Sequence, residues 1–287
     1  MLSAIYWDPD PKIFTVPFLN FPILWYGVFF ALGFWFAFLI VVRILSHYFR
    51  LLPSYKKLDA AELKKRAHLL VDRLTVYIVI GTILGARLGH FLFYEHPSQY
   101  LSDPMEFFRF RNGGLASHGA IIGILTATIF FSYRIRKKYP DLTWLRILDF
   151  IAVPTALAGA CIRVGNFFNQ EILGTPTNLP WAVVFGHPAD GSLPVPRHPA
   201  QLYEALWYLA VFFVLLYLSN RPSFLLKQGK LVGLLLIFIF AFRFFIEFLK
   251  TEQSHLLSSF YLTMGQILSI PVIVLGILFY FHERFPK

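Results

Sequence analysis

The chain has 287 residues, of which 57% are hydrophobic and 15% charged, with a mean hydropathy of +0.60. Soluble domains carry about 25% charged residues, so this composition fits lipid as the solvent, and the formal net charge of +10 belongs to membrane-flanking loops rather than to a nucleic-acid partner. The single cysteine, Cys161, excludes an internal disulfide and a cysteine-based metal site.

In chain order, the first apolar run is too long for a cleavable signal peptide, and Asp8 and Asp10 precede it instead of basic residues. Seven stretches approach the ~20 apolar residues that a bilayer core requires, at roughly 22–44, 74–94, 115–134, 147–168, 201–219, 231–250 and 262–282. The third and fifth are shortest, and neither alternates as a barrel strand would; lipid admits only helices or closed barrels. The predicted class is therefore an all-α integral membrane protein of seven transmembrane helices. Residues 1–287 read as one membrane domain without an internal repeat.

The loops give the orientation. Seven basic residues lie in 47–73, five in 134–146, three between spans five and six (Arg221, Lys227, Lys230) and two after span seven (Arg284, Lys287). The opposite loops hold five: Lys12, Arg109, Arg111, Arg197 and Lys250. Seventeen against five, alternating loop by loop, places the N-terminus outside and the C-terminus in the cytoplasm. Within 47–73, Leu58 to Leu74 has helical periodicity and many charges, and reads as an interfacial amphipathic helix. The Pro- and Gly-rich outer loop of 169–200 is too long for a simple connector.

Charges inside the membrane cost at least about 2.5–3.5 kcal/mol on insertion scales, which makes each a functional candidate. Arg43 sits at a span end and can snorkel. Arg87 and His90 fall in the outer half of span two and His118 near the outer start of span three. Arg163, Asn166 and Asn169 end span four, with Glu171 following, while Arg243 and Glu247 lie one turn apart in span six. Polar groups from four spans thus share one depth, toward the outer leaflet. Two uncompensated arginines at that level suit a phospholipid phosphate, because guanidinium matches a phosphoryl group and stays charged. Plainer readings stand beside these: Arg243 and Glu247 as an i,i+4 ion pair, Arg163 held by Asn169 and Glu171, and His90 and Cys161 as packing residues.

Three stretches carry a resemblance: Gly113-Gly114-Leu115-Ala116-Ser117-His118-Gly119, Arg163-Val164-Gly165-Asn166-Phe167-Phe168-Asn169-Gln170-Glu171-Ile172-Leu173-Gly174, and Arg197-His198-Pro199-Ala200-Gln201-Leu202-Tyr203-Glu204. With Arg87-Leu88-Gly89-His90 and Arg243-Phe244-Phe245-Ile246-Glu247, and from Trp25-Tyr26-Gly27 to Met264-Gly265-Gln266, the chain resembles the prolipoprotein diacylglyceryl transferases. Ile162, Ala120 and Ile239 depart from that family's usual Gly, Gly and Tyr.

The resemblance implies transfer of the diacylglyceryl group of phosphatidylglycerol to the lipobox cysteine in the signal peptide of a preprolipoprotein. It places the reaction in the bacterial inner membrane, facing the outer leaflet. It gives Arg163 and Arg243 to the phosphate and His118 to the thiol as base. Tyr26, Arg87, Asn166, Asn169, Glu171 and Gly174 would contribute substrate contacts, and Glu247 would orient Arg243. No metal or organic cofactor is implied, since no ligand cluster is present. A lipid or small-anion transporter is the alternative, although such proteins usually show repeated halves and a midplane site.

Overall fold

The computed structural model describes residues 4–18, 20–94, 105, 107, 114, 116–251 and 262–282. Of the residues singled out from the sequence, Arg109, Arg111, Gly113, Leu115, Arg284 and Lys287 lie outside these. The helices are α1 (Trp25–Leu51), α2 (Ala60–Tyr94), α3 (Ser117–Ile135), α4 (Trp144–Phe168), α5 (Ala200–Ser219), α6 (Lys230–Ile246) and α7 (Met264–Tyr280). Six are long and apolar enough to cross a membrane, and α7 is a shorter apolar helix. The protein is an all-α membrane protein of about seven helices, as the hydropathy pattern indicates.

One element differs from expectation. Leu58 to Leu74 does not form a separate interfacial helix, because α2 starts at Ala60 and runs unbroken for 35 residues. No Gly or Pro interrupts it before Gly81. At 1.5 Å per residue it reaches about 52 Å, against a bilayer core of about 30 Å. Its charged first turns are therefore a continuation of the span.

The chain divides into two compact units. The first comprises residues 1–48 and 149–285. Short strands border its helices: β1 (Ile5–Trp7), β2 (Lys12–Val16), β3 (Phe21–Leu24), β4 (Val183–Phe185) and β5 (Pro196–Arg197). β1 pairs in parallel with β4, β4 antiparallel with β5, and β2 with β3 as a hairpin. Thus the 169–200 loop contributes two strands to a three-stranded sheet. Phe167, Leu173, Val183 and Phe185 form a small core with Trp7 and Leu202 against it. The indole Nε1 of Trp7 donates to the Phe167 carbonyl at 3.1 Å, tying the N-terminal strand to the end of α4. Asp8 reinforces the tie, accepting from Gln170 Nε2 at 3.1 Å and lying 2.6 Å from His187 Nδ1. At the other end of α4, buried Asp149 accepts from the N–H groups of Gly229, Leu231 and Val232 at 2.7–3.0 Å, satisfying the free donors at the start of α6.

The second unit comprises residues 49–148 and the last two residues. It is built on α2 and α3, which meet backbone to backbone. A Cβ on Gly81 would lie 2.6 Å from the Gly123 carbonyl oxygen, and one on Gly119 would overlap the Gly85 carbonyl. Apolar side chains gain little by leaving lipid, so close van der Waals approach through small residues is what holds such helices together. The Ala116 N–H donates to the Ala86 carbonyl at 2.9 Å and fixes the start of α3 against α2.

Gly123→Leu should lower stability by about 1–3 kcal/mol through forced overpacking, read as a fall in melting temperature in detergent, whereas the exposed Ile121→Leu should leave it unchanged. The Asp8 strap should respond to acid alone. The hydrogen bond from His187, and after it that from Gln170, holds the Asp8 carboxyl below its ordinary value. Its contribution is complete above the unfolded carboxylate pKa of about 3.9 and lost as pH falls through the lowered folded value. Amide exchange of Ile5–Trp7 should show no Asp8-dependent loosening from about pH 5 upward and should accelerate below about pH 4; acceleration already at neutral pH in Asp8→Asn is the matching control.

Candidate active site

In the first unit, the C-terminal end of α4 bears the residues that the sequence singled out. Arg163 Nη1 donates to Asn166 Oδ1 at 3.2 Å, and Asn166 is buried. Asn169 Nδ2 donates to Glu171 Oε1 at 2.8 Å. The turn beyond the helix is tight, with Gln170 and Ile172 at φ of 53° and 58° on either side of Glu171. A β-branched residue in that region is strained by about 1–3 kcal/mol. The turn is held by the Glu171 N–H donating to the Asn166 carbonyl at 3.1 Å and by Gln201 Nε2 donating to the Glu171 carbonyl at 2.7 Å. Gly165 makes room for Tyr26 of α1, since a Cβ there would meet the phenol ring at 2.8 Å. Tyr26 lies within electrostatic range of both Glu171 and Arg163.

Arg163 is not uncompensated, as the sequence suggested. Its Nε lies 3.1 Å from Glu204 Oε2, and Glu204 on α5 has no solvent exposure. The contact is an ion pair without hydrogen-bond alignment. The other carboxylate oxygen accepts from Lys250 Nζ at 2.9 Å and from the Tyr208 hydroxyl at 3.4 Å. Glu204 and Lys250 are the members that sequence reasoning missed. Glu204 appeared only as part of a polar approach to span five, and Lys250 was counted as an outer-loop charge. The available signal was an acidic residue four positions into a span.

Lys250 is brought to Glu204 by strand-like pairing of the segment around Gly174 with the chain after α6. The Thr175 N–H donates to the Leu249 carbonyl, and the Thr251 N–H to the Leu173 carbonyl. Arg197 Nη1 and Thr251 Oγ1 both donate to the Gly174 carbonyl at 3.2 Å. A side chain at Gly174 would overlap the His198 backbone, so this position tolerates only glycine.

Glu247 also departs from expectation. Its Oε2 lies 3.7 Å from Lys250 Nζ, whereas no ion pair with Arg243 forms among the described residues. Gly265 provides the space, because a Cβ there would overlap the Glu247 carboxylate. Arg243, half-buried on α6, lies within electrostatic range of Tyr208 and has no carboxylate within ion-pair distance among the described residues. Three buried acceptors close to this network, Asn169 Oδ1, Gln201 Oε1 and Glu247 Oε2, have no hydrogen-bond donor among the described residues. Among the described residues, no group of three His, Cys, Asp or Glu side chains could hold a metal ion.

His118, Arg87 and His90 belong to the second unit. His118 is exposed at the start of α3, with Phe93 edge-on at 4.9 Å and Tyr94 at 5.8 Å. Arg87 is buried and lies 4.7 Å from the Phe91 ring centroid. It donates to the carbonyl oxygens of Phe107 at 3.0 Å and Gly114 at 3.1 Å. Both acceptors, Phe107 and Gly114, lie in the chain between α2 and α3. His90 stacks on Tyr94 at 5.6 Å.

The family model described as prolipoprotein diacylglyceryl transferase matches residues 11–282. The curated phosphatidylglycerol–prolipoprotein diacylglyceryl transferase of Porphyromonas gingivalis is 41% identical, covering 96% of this chain and 93% of its own length. Those of Protochlamydia amoebophila and Chloroherpeton thalassium are each 37% identical, covering 96% and 98% of this chain and 94% and 95% of their own lengths. A match of that extent makes this chain a member of the prolipoprotein diacylglyceryl transferase family.

Proposed function

We propose that this chain transfers the diacylglyceryl group of phosphatidylglycerol to the lipobox cysteine of a preprolipoprotein signal peptide, at the outer leaflet of a bacterial inner membrane. The cysteine sulfur forms a bond to the terminal glyceryl carbon, the bond from that carbon to the phosphate oxygen breaks, and glycerol phosphate leaves with the bonding electrons. The thiol proton passes to a base, for which His118 is the candidate. A thiol with an ordinary pKa of about 8.5 needs only modest help to ionise.

The observation that carries the reading is Arg243. A half-buried guanidinium on a spanning helix, with no carboxylate paired to it among the described residues, is poised to receive an anion. Arg163 stands differently: Glu204 and Asn166 fix its plane, leaving it a pre-aligned donor. As the bond to phosphate breaks, negative charge grows on the leaving group, where fixed donors stabilise the transition state more than the ground state. The unpartnered acceptors Asn169 Oδ1, Gln201 Oε1 and Glu247 Oε2 suit the hydroxyl groups of a glycerol head group, which supply donors.

The test is purified protein in liposomes of phosphatidylglycerol with a lipobox peptide, read by mass spectrometry for a diacylglyceryl thioether. Wild-type protein should give the adduct, a Cys→Ser peptide none, and Arg243→Ala roughly 10²–10³-fold less per unit time. Folded protein giving no adduct would return the transporter alternative to the front. Glu204→Gln should act first on stability. Removing one partner of a buried ion pair costs about 3–5 kcal/mol, so its melting temperature should fall well below that of Arg243→Ala, with activity lost in proportion to unfolding.

A further inference from the structure

The second unit contains a cavity that the transfer reaction does not use. It has a volume of about 400 Å³ and lies between the N-terminal turns of α2 and the C-terminal end of α3, far along both helices from His118. Arg66, Arg73, Arg134 and Lys138 line it, with Glu62 as the one acid and Tyr139 beside them. Glu62 is taken up by Arg66, Nε to Oε1 at 3.0 Å. Arg73, Arg134 and Lys138 have no carboxylate within ion-pair distance among the described residues. Three uncompensated cations around one cavity create a strong demand for an anion.

A second cavity lies along the same helix pair. It has a volume of about 630 Å³ and is lined on α2 from Val76 to Phe93 and on α3 from Gly119 to Phe130. The lining positions keep one helical face. On α2 they pass from Arg66, Leu69, Leu70 and Arg73 to Val76, Tyr77 and Ile80 at spacings of three and four. On α3 they pass from Thr126 and Phe130 to Arg134 in the same way, with Lys138 in the turn just beyond the helix. The walls are hydrocarbon and aromatic, and the Thr126 hydroxyl is occupied by the Ile122 carbonyl at 2.9 Å. From Arg73 to Leu92 the groove follows about 28 Å of helix, longer than one extended acyl chain needs.

A basic pocket and an apolar groove in line on one helix pair have the chemistry of a whole phospholipid rather than of a free anion. We propose that α2 and α3 bind an anionic phospholipid of the leaflet at their basic end. Its phosphate is held by Arg73, Arg134, Arg66 and Lys138, and one acyl chain lies in the groove. Basic pockets between spanning helices on the cytoplasmic side take anionic head groups in this way, and the loop charges place this end there. The site is separate from the arginine network of the first unit and independent of the reaction assigned to it.

The test titrates purified full-length protein with dioleoyl phosphatidic acid, counting bound lipids by native mass spectrometry. Phosphatidylcholine, dihexanoyl phosphatidic acid and inorganic phosphate serve as comparisons. Arg73→Gln/Arg134→Gln should bind its first phosphatidic acid about thirtyfold more weakly than wild type, at about fivefold per charge removed, with phosphatidylcholine binding unchanged. Arg73→Lys/Arg134→Lys should retain most of the affinity, which separates loss of charge from loss of fold. Arg243→Gln should leave this first binding event intact. Wild-type affinity in the Gln variant, or loss with Arg243→Gln alone, would place the lipid elsewhere. Equal binding of the dihexanoyl lipid would remove the groove from the proposal, and full displacement by millimolar inorganic phosphate would make the pocket a free-anion site.

Discussion

Glu204 is a carboxylate without solvent exposure on a helix that spans lipid, and the arrangement of the first unit follows from keeping it ionised. A single buried charge in low dielectric costs several kcal/mol; two partners are needed before the attraction offsets that cost. Arg163 supplies one and Lys250 the other. Arg163 reaches Glu204 because α4 and α5 present them to each other. Lys250 reaches it only because the chain after α6 is hydrogen-bonded to the segment around Gly174. That segment requires glycine, since the His198 backbone lies where a side chain would start, and it requires Arg197 to bind the Gly174 carbonyl. Five distant stretches of sequence are thereby tied to one carboxylate.

The two units are held together internally by different physics. The second relies on close approach of α2 and α3 through glycines. The first buries ionised groups and hydrogen-bonded turns at one end, with a small soluble-like core of Trp7, Phe167 and Phe185 beside them. Dispersion between smooth helix faces tolerates changes of side chain on the lipid side. A network of charges does not, because each member lost leaves another exposed to low dielectric.

The legible parts of this structure were those set by local rules. Hydropathy located the seven helices, because membrane insertion acts on short windows of sequence. Arg163, Asn166, Asn169 and Glu171 were legible as a unit because one helix end carries all four. The parts that escaped depend on distant pairing. Nothing within Ile5–Trp7 announces a strand whose partner is Val183–Phe185. Lys250 follows an apolar run and looks like an ordinary flanking charge; only the fold shows it buried against Glu204. The length of α2 was misread for the opposite reason. A change of composition near residue 74 was taken as a boundary, although helix propensity continues across it and backbone geometry follows propensity, not polarity.

Three intramembrane arginines illustrate how context divides one residue type among roles. Arg87 donates to two backbone carbonyls and serves a loop. Arg163 has a carboxylate and an amide that fix its orientation, so it keeps a rigid donor edge without a free charge. Arg243 has no acid among the described residues and sits within range of Tyr208. A site for a phosphodiester that becomes a phosphomonoester needs both of the latter states. If every arginine were unpaired, the empty site would be repelled by its own charge; if every one were neutralised, nothing would favour the extra negative charge that develops as the leaving group departs. One fixed arginine and one free one satisfy both demands. Under the proposed reading, the pairing of Glu247 with Lys250, instead of with Arg243, leaves the second guanidinium available for a phosphate.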